Sequence, residues 1–348
     1  MRRALVPAAV ALATAACGTQ SGLHVEDGGT TVRPASLPST STQHPPTKAA
    51  RTASLVLGAP AAIAYADGTL WCAVRPGGRL IGSLVRVDTV TGRVTGRPTP
   101  LPVSADPYLL AVTGEDVWLG GGDRLWRIDP TDGSIAATVS VDGRLTALTA
   151  PPGELWATVA GPRGGRLLHL DATSGRPLAS APIGPAPSAL TVVPGAAWVT
   201  DAERQDVTRL TLRGQRIGGA TSVSLPLSSH RRPTQVTVYA GSVWVYERGR
   251  VVRIDPATAT VVGTTIVAPA AGGTIAAGSG GIWVITSTLR SHRGAVRLLD
   301  PKTGAGAGRR TVVGGAPTAL ATDGRGVWVV DSSRGRLVRV VAAPHSPA

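Results

Sequence analysis

The stretch Gly241–Pro256, GSVWVYERGRVVRIDP, decides the fold. It reads as a glycine turn, a strand carrying Trp244, a short polar loop and a second strand that ends in Asp-Pro. Variants of it recur along the chain, for example DVWLGGGDRLWRIDP and GVWVVDSSRGRLVRVV. Their tryptophans are Trp71, Trp118, Trp156, Trp198, Trp244, Trp283 and Trp328, spaced by 47, 38, 42, 46, 39 and 45 residues. A period in that range marks a propeller or solenoid array.

Each unit opens with a short apolar strand (a), a tight turn and the Trp strand (b); ADG before Trp71 is a strong hairpin signal because both central residues tolerate positive φ. A loop and strand c follow: LVRVD, LWRID, LLHLD, VTRLT, VVRID, VRLLD and LVRVV. Asp-Pro or Asp-x-x-Thr-Gly then turns the chain into a looser strand d. Four short antiparallel strands per 40–45 residues is a blade, so the expected fold is all-β: a seven-bladed β-propeller over residues 52–342 with four-stranded antiparallel blades. The last unit ends without a strand d, and Thr52–Gly58, TASLVLG, precedes the first unit just as RTVVGG precedes the last. This segment is expected to pair as the outer strand of blade seven, which closes the ring and removes an exposed edge.

In this reading each Trp is a structural wedge between blades, and Trp126 is an outer packing residue. Arg86, Arg127, Arg209, Arg253, Arg297 and Arg339 share a slot in strand c, with Asp88, Asp129 and Asp255 two residues on along the same strand face. A ladder of ion pairs is the expected result, and it accounts for much of the net charge of +14. Of 35 basic residues only Lys48 and Lys302 are lysines, and Phe is absent, a skew expected of a GC-rich genome rather than of anionic partners.

Arg2, Arg3 and the apolar run Ala4–Ala16 have the layout of a signal peptide, too short to span a bilayer. Thr14-Ala15-Ala16-Cys17 resembles a bacterial lipobox, in which the cysteine is lipidated and becomes the new N-terminus; Thr14 stands where an aliphatic residue is usual. Cleavage after Ala15 or Ala16, and an uncleaved cytoplasmic N-terminus, are the other outcomes. Residues 1–17 are therefore read as a signal peptide with a lipidation site at Cys17, and residues 18–51 as a disordered Ser/Thr/Pro-rich tether spanning roughly 30 Å. Residues 343–348 are read as a disordered tail. With Cys17 lipidated, Cys72 is left alone as a small buried hydrophobe, with no disulfide framework. The expected location is extracytoplasmic, as a bacterial membrane lipoprotein, with secretion as the alternative.

The W-x-x…V-x-R-I-D-P-x-T-G pattern resembles the extracytoplasmic YVTN-type and streptogramin-lyase-like seven-bladed propellers over nearly all of residues 52–342. The Gly-His and Trp-Asp dipeptides of WD-type repeats are missing, and Arg176 and Pro177 follow Asp171–Gly175 where quinoprotein propellers place a Trp a few residues on. The lyase resemblance implies histidines just after a proline at the start of strand a, yet those slots hold Ala61, Tyr108, Ser188, Thr234 and Thr318. It also implies a glutamate three residues beyond a strand b Trp; Glu247 stands there, and Asp201 and Asp331 hold the same slot in their blades. Without an imidazole base the carboxylates alone cannot support the elimination, so streptogramin lyase activity is not expected.

One scaffold of this kind hosts many tasks. Propellers bind at the channel mouth, on the face of the d–a and b–c loops, and the b–c loops here carry arginines outside the strand c ladder. The concentrated polar cluster is His230, Arg231 and Arg232 from one d–a loop, Arg290, His292 and Arg293 from a b–c loop, and Glu247 beside them. No cofactor is expected and no metal-ligand spacing stands out. Nucleic acid is disfavoured, because the basic loops lack interleaved aromatics. The expected function is a monomeric, non-catalytic binding module for an envelope protein or anionic ligand; the alternative is a lyase, lactonase or hydrolase working at the channel mouth.

Overall fold

A computed structural model describes residues 49–75, 82–101, 109–114, 116–226, 232–247, 249–267, 274–278, 280–287 and 294–342. Cys17, His230, Arg231, Arg290, His292 and Arg293 lie outside these residues. The described residues are all-β, with one 3-10 turn among them at Ser332–Arg334. Among the described residues no helix is long and apolar enough to cross a membrane.

Seven four-stranded antiparallel sheets form the blades, each paired in the order a-b-c-d. Six are consecutive in sequence. In the seventh, the N-terminal strand Ala49–Val56 pairs with the last strand, Arg336–Ala342, over seven register positions from Ala49 opposite Ala342 to Val56 opposite Arg336. The ring is therefore clasped by its two ends as expected, although the clasp starts three residues earlier than Thr52, inside the stretch assigned to the tether.

The cores explain why Trp recurs. Seven clusters of buried apolar side chains are resolved, and each lies between adjacent blades and holds the Trp of the earlier one. Trp71 with Ala73 and Leu84 meets Leu110, Val117 and Leu119 of blade two; at the closure, Trp328 and Val330 meet Ile63, Leu70 and Cys72 of blade one. A sheet twists as it runs outward, so neighbouring blades diverge, and a large flat ring fills the gap at near-native density. Trp118 shows the contact in detail. Its Nε1 donates to the Ala172 carbonyl of the next blade at 3.0 Å, and its ring sits where a Cβ on Gly175 (φ +70°) would approach to 2.5 Å. Glycine is thus required at that turn for both space and backbone conformation. Trp126, half-buried, packs on the first of these clusters.

The arginine ladder takes a different form from the one expected. Strand register sets Trp71 opposite Arg86, Trp198 opposite Arg209, Trp244 opposite Arg253 and Trp328 opposite Arg339, and each guanidinium carbon lies 5.5–5.9 Å from the ring centroid. In blade three His169 takes the slot and stacks on Trp156, centroids 4.0 Å apart and nearly parallel. In each case the cation lies over the π face directly across the ladder. Asp88, Asp129 and Asp255 turn instead to the backbone and accept N–H groups of the following turn, such as Thr91 N at 2.6 Å, Thr131 N at 2.7 Å and Ala257 N at 2.8 Å. Two slot arginines do form ion pairs, with the aspartate of the a–b turn: Arg127 with Asp116 at 3.3 Å and Arg339 with Asp323 at 2.7 Å.

Cys72 is fully buried, and burial pushes its thiol well above the ordinary range. Such a thiol is inert, a packing group only.

Candidate functional site

The seven a strands surround a central cavity of about 220 Å³. Its walls are apolar or neutral: Ala61, Ile63, Leu110, Leu148, Leu190 and Leu320 alternate with Thr146, Ser188, Gln235 and Thr318. Among the described residues no charged side chain is in that lining. The post-proline slots have a structural meaning: in blades one, four, five and seven the strand pairing skips the residue after the proline, at Ala61, Ser188, Thr234 and Thr318. Blade three makes the same bulge at Thr146 without a proline, which the sequence pattern did not signal. A bulge re-aims one side chain out of the ladder, and Ala61, Thr146, Ser188 and Thr318 face the cavity. Ser188 Oγ then lies 2.9 Å from Thr200 Oγ1 and donates to the Pro233 carbonyl of blade five at 2.7 Å. These hydroxyls tie blades together, and none can serve as a general base at neutral pH.

The carboxylates three residues beyond the Trp are buried: Asp201 is 2% exposed, and Glu247 and Asp331 are both at 0%. Each ends a b strand at the mouth and holds the loops there. Asp331 accepts from Ala316 N, Ser333 Oγ and Arg336 Nε at 2.9–3.2 Å. Burial pushes its carboxyl up, but the donors Ser333, Ala316, Arg336 and Gly315 outweigh this and hold it below the usual range. A lowered carboxyl contributes stability above its unfolded pKa and loses it as pH falls through the folded one. Stability should therefore fall steeply below about pH 4, and Asp331→Asn should flatten that acid limb while costing about 3 kcal/mol at neutral pH. Thermal melts across pH 3–7 read both effects.

Glu247 faces Arg250, whose Nε lies 2.7 Å from Oε1 and whose Nη2 donates to the Pro226 carbonyl. It is thus a structural clasp rather than an open member of a loop cluster. Arg232, by contrast, is exposed at the entry to blade five. The surrounding face is basic. Arg75, Arg124, Arg144, Arg163, Arg166, Arg204, Arg232 and Arg334 are exposed there, against the exposed carboxylates Asp123, Asp142 and Glu203. Among the described residues the opposite face, made of the a–b and c–d turns, exposes Asp67 and Asp132 against Arg93, Arg176, Arg213, Arg216, Lys302 and Arg325, while Asp88, Asp116, Asp129, Glu154, Asp171, Asp255 and Asp300 are half-buried in its turns. The Asp-x-x-x-Gly turns need their aspartates, so those half-buried carboxylates serve turn chemistry.

No protein-family model matches the chain, and no curated protein matches it. Solved structures do. BamB from Moraxella catarrhalis is similar at a TM-score of 0.57 and 15% identity, covering 86% of this chain and 100% of that one. The β-propeller domain of Myceliophteria thermophila Cps50 (Swd1) is similar at 0.61 and 12%, covering 85% and 100%. At such identities the likeness establishes the fold.

Proposed function

We propose that this chain is a non-catalytic binding module, anchored at the cell envelope through lipid on Cys17, that docks an acidic envelope protein or other anionic ligand on the face of its b–c and d–a loops. The observation that carries this reading is the excess of exposed arginines over exposed carboxylates around the mouth loops, eight against three among the described residues. The neutral cavity supports it, since proton-transfer chemistry needs an acid or base within reach of the substrate. The YVTN-type resemblance carried by the repeat motif belongs to the same proposal.

Charge-matched variants test it. Arg124→Glu/Arg144→Glu/Arg163→Glu alters the mouth, and Arg93→Glu/Arg176→Glu/Arg213→Glu alters the opposite face by the same net charge. With immobilised poly-glutamate as the probe at 0.15 M salt, the first triple should weaken retention by about tenfold or more, at ~0.5 kcal/mol or more per reversed charge. The second should leave it within about twofold. Equal loss from both would mean that net charge alone drives binding and would end the proposal. Labelling with a palmitate analogue, lost in Cys17→Ala, tests the anchor separately.

A further inference from the structure

Blade four breaks a rule that blades five and seven obey. In those two, the residue opposite the buried carboxylate at the start of strand c is an arginine: Arg250 opposite Glu247 and Arg336 opposite Asp331. Each guanidinium lies against its carboxylate, at 2.7 Å and 3.2 Å. In blade four the same register sets Asp206 opposite Asp201. Both are buried, at 8% and 2% exposure. Asp201 is fixed in place by three backbone N–H groups, from Ala186, Glu203 and Arg204 at 2.7–2.9 Å. Asp206 Oδ1 is buried and has no hydrogen-bond partner among the described residues. Its carboxyl is pushed up by burial first and by the charge of Asp201 second, with Arg204 and the Ser222 hydroxyl opposing. Arg204 is exposed, so its charge is screened by water. Two carboxylates facing each other out of water, one with a bare oxygen, leave a place for a positive charge where the sister blades put a guanidinium.

We propose that Asp201 and Asp206 hold a hard divalent cation, calcium in preference to magnesium, between strands b and c of blade four. The donors are oxygens only, which excludes soft thiolate-seeking metals. Two side chains cannot complete a shell, and among the described residues no group of three or more His, Cys, Asp or Glu converges. Backbone carbonyls and water must supply the rest, an irregular set that calcium accepts and the octahedral demand of magnesium does not. Affinity then falls at the weak end for oxygen sites, with Kd of about 10⁻⁴–10⁻³ M. The cation would do for the 201–206 loop what Arg336 does in blade seven: lock strand c to the carboxylate that also holds the preceding d–a loop through Ala186. The proposal does not depend on the docking reading.

The full-length chain, stripped with EDTA, provides the test. Calcium at about ten times Kd should raise Tm by about 3 °C, with magnesium less effective. Asp206→Asn should abolish the rise. Asp206→Arg, which rebuilds the pair of blades five and seven, should also abolish it while melting no lower than the calcium-free wild type, so that loss of response is not loss of fold. No response of the wild type to calcium up to about 10 mM, or a response that survives both substitutions, would overturn the proposal. So would a wild type that ignores calcium and is stabilised by acidification instead, since the pair would then hold a proton.

Discussion

Deletion of residues 1–58 should leave a chain that no longer melts as a soluble monomer. The lost strand covers Arg336–Ala342 along seven register positions. Gly335 O also accepts from Leu57 N and Gly58 N at 2.7 and 3.0 Å, which fixes the crossing from the clasp into blade one. Leu55 and Leu57 pack on the cluster that joins blades seven and one, and Leu337 and Val338, fully buried in the intact chain, would lose their cover. Several ladder hydrogen bonds at about 1 kcal/mol each and two or three apolar side chains at about 1.5–3 kcal/mol each amount to a loss on the order of 5–10 kcal/mol. That is comparable to the whole stability of an ordinary domain. The bared edge is also a template for pairing with other chains. Size-exclusion chromatography should show aggregate or void material, and a truncated chain that stays monomeric with an unchanged Tm would contradict the role given to this strand.

The second large effect is expected from Trp328→Ala. This indole is fully buried at the closure between blades seven and one. Its Nε1 donates to Asp323 Oδ2 at 2.9 Å, and the same oxygen accepts from Arg339, whose guanidinium lies 5.5 Å from the ring centroid. Removing the ring opens a cavity and leaves the Arg339–Asp323 pair without its apolar wall. Trp to Ala in a core costs about 3–5 kcal/mol, so Tm should fall by about 10 °C. Trp126→Ala, at a half-buried outer position, is the control and should cost about 1 kcal/mol. Equal losses from the two would mean that the wedge position carries no special weight.

The architecture was legible because one bulky residue type recurs in one slot. Seven indoles at a 38–47 residue period named the blades, and the orphaned TASLVLG segment named the closure. Side-chain partners were less legible. Alternation along a strand predicts that Arg86 and Asp88 share a face, but the indole of Trp71 across the ladder and the amides of the following turn are closer partners for the two groups. Period-2 reasoning sees along one strand, while the partners stand on the neighbouring strand or in the next turn. Asp206 shows what slot comparison adds. DAERQD, ERGR and DSSRGR differ in length, so only the register reveals that an aspartate stands where Arg250 and Arg336 stand. The basic character of the mouth was readable from its loops, whereas the burial of Glu247 required the fold.

Amide hydrogen exchange across the N-terminal strand tests the closed ring most directly. The structure predicts that the ladder-bonded amides of Ala49–Val56 exchange as slowly as those of the other outer strands, and that they lose protection together with Arg336–Ala342 at one denaturant concentration. Free exchange of Ala49–Val56 in an otherwise protected protein would show an open array, and the grouping of the b–c and d–a loops on one binding face would fall with it.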